Sequence, residues 1–203
     1  MKKLILISAL LLLVASNGWA YSETDLLKLK QLNQCLRCDL SGANLSNATL
    51  GSADLRDTYL RGADLSGANL RSADLRGAYL TYADLTYAKL RDANLRGANL
   101  TNANFSDAIL YKANFRKADL TGANFTGANL RDANLRGANL TNTKLILADF
   151  SDAKLRNAKL DGADLSSADL RSADLRNADL GNAKYCKTKM PWGEVNDDCE
   201  DAD

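Results

Sequence analysis

The sequence predicts an all-β solenoid, a chain that coils about one axis and turns a corner every five residues. Three observations predict it. At every fifth position from 40 to 180 the residue is Leu or Phe, 29 positions without a break, and Tyr185 adds a thirtieth. Two residues before each of these the chain carries Ala, except at Cys38, Thr58 and Thr143. The phrase LRDANLRGANLTN at residues 90–102 returns unchanged at residues 130–142. Self-similarity of this kind marks a repeat architecture and is read before any local signal.

A spacing of five fits neither regular element. An amphipathic helix needs apolar residues about every 3.6 positions and a half-buried strand every 2. On a helix, a step of five turns the apolar stripe by about 140° each time, so no face is apolar. A single extended strand would send alternate leucines to opposite sides. Leu and the Ala before it face inward together only if the chain bends in every unit. The other three positions then face water. The residue between Ala and Leu is Asp or Asn in 21 of 30 units, and the rest of the outer surface holds Ser, Thr, Gly, Arg, Lys and Tyr. Several of these are the residue types that turns require.

The arginines report how many units close a coil. Of the 13 Arg residues, 12 directly follow one of these repeating Leu or Phe residues. Sorted by a period of 20, seven fall in one class without a gap: Arg56, Arg76, Arg96, Arg116, Arg136, Arg156 and Arg176. Arg71, Arg91, Arg131 and Arg171 form a second class, and Arg61 stands alone. Sorted by 15, the same residues spread almost evenly. A surface phase of 20 is preserved only if 20 residues make one coil, which is four units. At about 4.8 Å between neighbouring strands, the repeats form a rod of about seven coils, roughly 35 Å long.

The unit Ala-(Asp/Asn)-Leu-x-x, repeated from Cys38 to about Lys184, resembles the pentapeptide repeat family. The stretches CLRCDLSGANL and AKYCKTKMPWGEV also resemble its secreted or lumenal cyanobacterial members. The resemblance implies a right-handed quadrilateral β-helix with four units per coil and the Leu/Phe and preceding Ala pointing inward. It implies no catalytic residues.

The chain divides into four parts. Residues 1–20 read as a signal peptide: Lys2 and Lys3, then the apolar run LILISALLLLVA, then Gly18 and Ala20 as small residues before a cleavage site. That run is too short to span a bilayer comfortably. Residues 21–37 read as an N-terminal cap with a short helix over SETDLLKLKQL, where Ser22 or Thr24 caps it and Leu26, Leu29 and Leu32 form one stripe. Residues 38–185 are the repeats. Residues 186–203 are a C-terminal cap and acidic tail, in which Tyr185, Met190, Pro191 and Trp192 are expected to cover the last coil. Export places the protein in a periplasm, outside the cell, or in a thylakoid lumen if the source is cyanobacterial.

Four cysteines allow three pairings. Cys35 and Cys38 sit at the first coil, Cys186 and Cys199 after the last, and the two ends are too far apart to bridge. An exported chain favours Cys186–Cys199 as a disulfide. Cys35 and Cys38 form either a second disulfide or a pair of buried thiols, since both occupy inward positions. A redox CxxC expects a thioredoxin-like βαβ context and a zinc site about four ligands, and neither pattern is present.

Two surface features stand out as interaction candidates. The seven-arginine column is suited to an acidic partner or an anionic surface. Against this stands a solvated face balanced by Asp54, Asp57, Asp74 and Asp174 on the same edge, with Asp92, Asp132 and Asp152 near it. Tyr59, Tyr79, Tyr82 and Tyr87 cluster within two coils and read either as a docking patch or as cross-strand stacking. Ile109, Ile146 and Leu147 are apolar at outward positions.

Composition excludes much. There is no His, and the only Glu residues, Glu23, Glu194 and Glu200, lie outside the repeats. A Leu-filled rod has no concave pocket for a small substrate, and no Gly-rich loop cradles phosphate. No cofactor or metal is implied. Without Lys2 and Lys3 the chain has 24 basic and 25 acidic residues, so it is not a uniformly basic nucleic-acid binder, and the near-zero charge, the leader and the Arg column disfavour a further alternative that the family resemblance implies, a nucleic-acid mimic that inhibits a topoisomerase. The expected function is that of a non-enzymatic exported scaffold that binds a protein or a surface. The alternative is a binder of anionic lipid or polysaccharide through the Arg column.

Overall fold

A computed structural model describes residues 21–197 and Cys199. The leader expected at residues 1–20 and most of the acidic tail lie outside the described residues.

Helix α1 spans Glu23–Leu32. Ser22, not Thr24, is its N-cap, and the Ser22 side chain accepts the Asp25 N–H. Asn33 ends it in the left-handed conformation (φ 53) and donates to the Leu29 carbonyl. The helix covers the open end of the coil. Leu29 is buried in the core and Leu26 packs partly against it. The Asp25 carboxylate accepts the Asp39 N–H, and Ser22 donates to the Asp39 carbonyl. Leu32, expected in the same stripe, is 60% exposed.

The coil follows from where the backbone N–H groups go. In unit 53–57, Ala53 donates back to the Leu50 carbonyl and closes the corner. Asp54 donates to Asn33 in the preceding coil, while Leu55 and Asp57 donate to Asp74 and Arg76 in the following one. The fifth N–H, that of Arg56, goes to the Asp54 carboxylate. An Asp or Asn side chain is the acceptor that reaches this group, which gives the residue a structural role in every unit that has it. Parallel bridges join Gln34 to Asp54, Asp54 to Asp74 and so on to Asp169 and Lys189, each pair 20 residues apart. One coil is therefore four units, in phase with the arginine column.

Each corner is built alike. The second residue after Leu/Phe has a positive φ, as in Gly42 (70), Asn47 (56) and Asp57 (55). With the Ala N–H bonded to the Leu carbonyl, this is the pattern of a type II turn. Gly77 shows why some corners favour Gly. Its φ is +66, and a Cβ there would lie 2.3 Å from Asp57 Oδ1 of the coil before.

Inside, the Leu, Phe and Ala side chains form one continuous core. Phe105 and Phe125 stack at 4.8 Å, and Phe115 meets both edge-on at 6.0 and 6.1 Å. Thr58 and Thr143, which replace inward Ala, are buried and donate to the Cys35 and Leu140 carbonyls. Cys35 and Cys38 are bonded to each other within the first coil, and Cys186 is bonded to Cys199.

The far end is closed by a hairpin, β1 (Thr188–Met190) against β2 (Gly193–Val195). Its cover differs from expectation. Met190 and Thr188 are buried, Tyr185 is half-buried, and Trp192 is 65% exposed at the hairpin tip together with Pro191. Leu175 and Leu180 remain only partly covered.

Candidate interaction surface

Residues immediately before and after an inward Leu point to the same outer side, because side chains alternate along an extended segment. In three units of the arginine column this places an Asp beside the Arg. Arg56 donates to Asp54 through Nε at 2.8 Å and a terminal nitrogen at 2.6 Å. Arg76 clamps Asp74 at 2.8 and 2.6 Å, and Arg176 clamps Asp174 at 2.7 and 2.8 Å. The guanidinium hydrogen bonds hold the Asp54 and Asp174 carboxyls below the usual carboxylate range. At Asp74, burial opposes the same bond, and the net direction is still down.

The middle of the column is built differently. The residue before the Leu or Phe is Asn94, Asn114 and Asn134 for Arg96, Arg116 and Arg136, and Lys154 for Arg156. The three Asn side chains still accept the backbone N–H of the following Arg, at 3.3, 3.1 and 3.3 Å. They do so without a charge. Among the described residues, none of these four guanidinium groups makes an ion pair. Of the acids expected to balance them, Asp57 lies 3.9 Å from Arg37 and Asp92 pairs with Arg91 at 3.2 Å. Asp132 and Asp152 pair with none of them. Lys117 and Lys154 lie on the same edge, and a shallow trough of about 290 Å³ is lined by Arg116, Lys117, Arg136, Gly137, Arg156 and Asn157. The sequence reading saw one column of seven. The structure divides it into neutralised ends and an open middle. The two lysines escaped that reading because it followed arginine alone.

The tyrosines divide as well. Tyr59 and Tyr79 stack in neighbouring coils, centroids 4.9 Å apart and planes 8° apart. Tyr82 lies 6.0 Å from the Arg61 guanidinium, and Tyr87 is 63% exposed on a separate corner. Tyr82 and Tyr87 occupy the left-handed corner position with φ 60 and 57. Leu147 does the same with φ 59 and is also 63% exposed. Ile109 lies in the strand position and is 43% exposed.

The neighbouring faces carry a polar ladder. Thr101, Thr121 and Thr141 each donate to the Asx side chain two residues earlier, and Asn139 reaches across to Thr121 at 2.8 Å. Among the described residues no group of His, Cys, Asp and Glu is placed to hold a metal. A hollow of about 460 Å³ between α1 and the first coils is lined by residues such as Leu29, Lys30, Asn44 and Leu50, with no acid among them.

The repeats match the family model of pentapeptide repeats in eight copies, over residues 38–77, 78–116, 108–152 and 148–184. The chain therefore belongs to the pentapeptide repeat family. It is 33% identical to HetL, a pentapeptide repeat protein involved in heterocyst differentiation regulation from the cyanobacterium Nostoc sp. strain PCC 7120, over 80% of this chain and 91% of that one, with a TM-score of 0.49. A second pentapeptide repeat protein of Nostoc PCC 7120 is 48% identical over 37% of this chain and 62% of that one, with a TM-score of 0.37. A pentapeptide repeat protein of the Arabidopsis thaliana thylakoid lumen is 32% identical over 60% of this chain and 74% of that one, with a TM-score of 0.20. No curated protein matches the chain.

Proposed function

We propose that the protein is an exported, non-enzymatic scaffold, a right-handed quadrilateral β-helix of about seven coils that docks a protein partner on its tyrosine face. One observation carries the docking. Tyr82 and Tyr87 are 56% and 63% exposed and occupy a corner position with positive φ, where most other coils carry Gly, Asn, Asp, Ser or Lys. A bulky side chain there strains the backbone, and an exposed ring forgoes burial, so the position serves neither packing nor the corner. With the stacked Tyr59 and Tyr79 they give aromatic anchors of the type that dominates protein interfaces. The leader-like residues 1–20 and two disulfides support export to a periplasm, the exterior or a thylakoid lumen.

The test is a pull-down from native extract with the oxidised chain and with a Y59S/Y79S/Y82G/Y87G variant. A protein retained by the wild type and lost by the variant identifies the partner and the face. Equal recovery by both, or none by either, returns these tyrosines to surface stacking.

A further inference from the structure

We infer that the open middle of the arginine edge, Arg96, Arg116, Arg136 and Arg156, is a docking surface for an anionic polysaccharide with one acid group per sugar. This surface is separate from the tyrosine face.

In most units the backbone N–H after the Leu or Phe is accepted by the Asp or Asn two residues before it, and the two residue types serve equally. At Arg56, Arg76 and Arg176 the acceptor is Asp, which also neutralises the guanidinium. At Arg96, Arg116 and Arg136 it is Asn, and at Arg156 the position holds Lys154. At Arg96, Arg116 and Arg136 the backbone bond is kept, so there the difference is one of charge alone. The result is four guanidinium groups in consecutive coils without an ion pair among the described residues, with a trough lined by Arg116, Lys117, Arg136 and Arg156 along three of them.

The surroundings select the ligand. The row is flanked by Asn94, Asn114, Asn134, Gly97, Gly137 and Asn157, all polar or without a side chain. A protein interface places aromatic or apolar anchors at its centre, and a membrane-binding surface inserts them. This edge offers neither. On the adjoining face, the Asp119 carboxylate is already held by Thr121 and Asn139. Guanidinium pairs with carboxylate and sulfate groups through two parallel hydrogen bonds, and a polysaccharide with one such group per sugar offers them in a repeating row along the trough.

The probe is polygalacturonate, immobilised, with neutral dextran as control, and the oxidised full chain is passed over it at low and at physiological salt. Three variants are compared, each checked for an unchanged melting temperature. R96Q/R116Q/R136Q/R156Q removes the row. N94D/N114D/N134D keeps every Arg and every corner acceptor but installs the clamp seen at the ends. R56Q/R76Q/R176Q removes only clamped arginines. We expect the first two to weaken binding at least about tenfold and the third to change it by less than about threefold, because exposed charges already paired contribute little to recruitment. The proposal is overturned by absence of binding at low salt, by equal loss in the end and middle variants, or by poly-L-glutamate or anionic phospholipid vesicles binding as tightly as polygalacturonate.

Discussion

At the scale of single residues, the outer positions of the repeat turn out to be specialised. The sequence shows Asp or Asn before most of the inward Leu and Phe residues, and reads them as turn formers. The structure gives them a further task, accepting the one backbone N–H that no neighbouring coil can take. That task is not legible from spacing, because it depends on which carbonyls the coil brings within reach. The corner residue is equally specific. Leu147 sits at φ 59 and is 63% exposed, so its side chain gains little from burial while its backbone is strained. Replacing Leu147 with Gly is expected to stabilise the protein by about 1 kcal/mol, the order of the cost an L-residue incurs in this conformation. The Gly77→Ala change is expected to do the reverse, by about 1 kcal/mol or more, since its Cβ would meet Asp57 of the coil before. Denaturant midpoints at constant slope measure both. A stabilised Gly77→Ala protein would show that the corner relaxes more freely than its geometry indicates.

At the scale of elements, the two caps do different work from the repeats. Ser22 and Asn33 set the ends of α1, and only part of the expected leucine stripe reaches the core, because each step of three residues carries the stripe about 60° round the helix and leaves Leu32 facing outward. At the other end, the antiparallel pairing of β1 and β2 puts Met190 and Thr188 on the core side and leaves Trp192 at the tip. No periodicity announces a three-residue strand, so this arrangement was not readable in advance. The Cys186–Cys199 bond closes a segment of 13 residues over that hairpin. Loop closure of this length is worth about 3 kcal/mol in the entropic account. In a solenoid such a contribution stays local. A C186S/C199S variant is therefore expected to become sensitive to protease at the hairpin while the repeats melt as before. Mass spectrometry of the first fragments distinguishes this from general unfolding, which would cut throughout the repeats.

At the scale of the molecule, stability is spread along a stack in which each coil touches its neighbours. The aromatic cluster of Phe105, Phe115 and Phe125 lies in mid-stack, and Phe115→Ala is expected to cost about 3–5 kcal/mol. Because the cavity lies between two halves that each retain a core, the unfolding transition should also broaden, which calorimetry reads directly. The pH response follows from the absence of His and the low carboxyl values of Asp54, Asp74, Asp169 and Asp174. Their folded-state values lie below the ordinary 3.8, so their contribution is complete above that pH and is lost as pH falls through the folded values. The melting temperature should be flat between about pH 5 and 8 and should drop only below about pH 4. A step near pH 6.5 would contradict this.

The solenoid itself was written in the sequence, because a period of five states directly which side chains face in, and a phase of 20 states where the chain returns. The corner residues, the capping helix and the cysteine ends were legible for the same local reason. The tertiary structure alone decided which charges are spent. Asp54, Asp74 and Asp174 each reach their own arginine, Asp92 turns to Arg91, and Arg96, Arg116, Arg136 and Arg156 are left without an ion pair among the described residues. An ion pair depends on distances of a few ångströms between side chains on adjacent coils, and a one-dimensional charge count does not contain those distances.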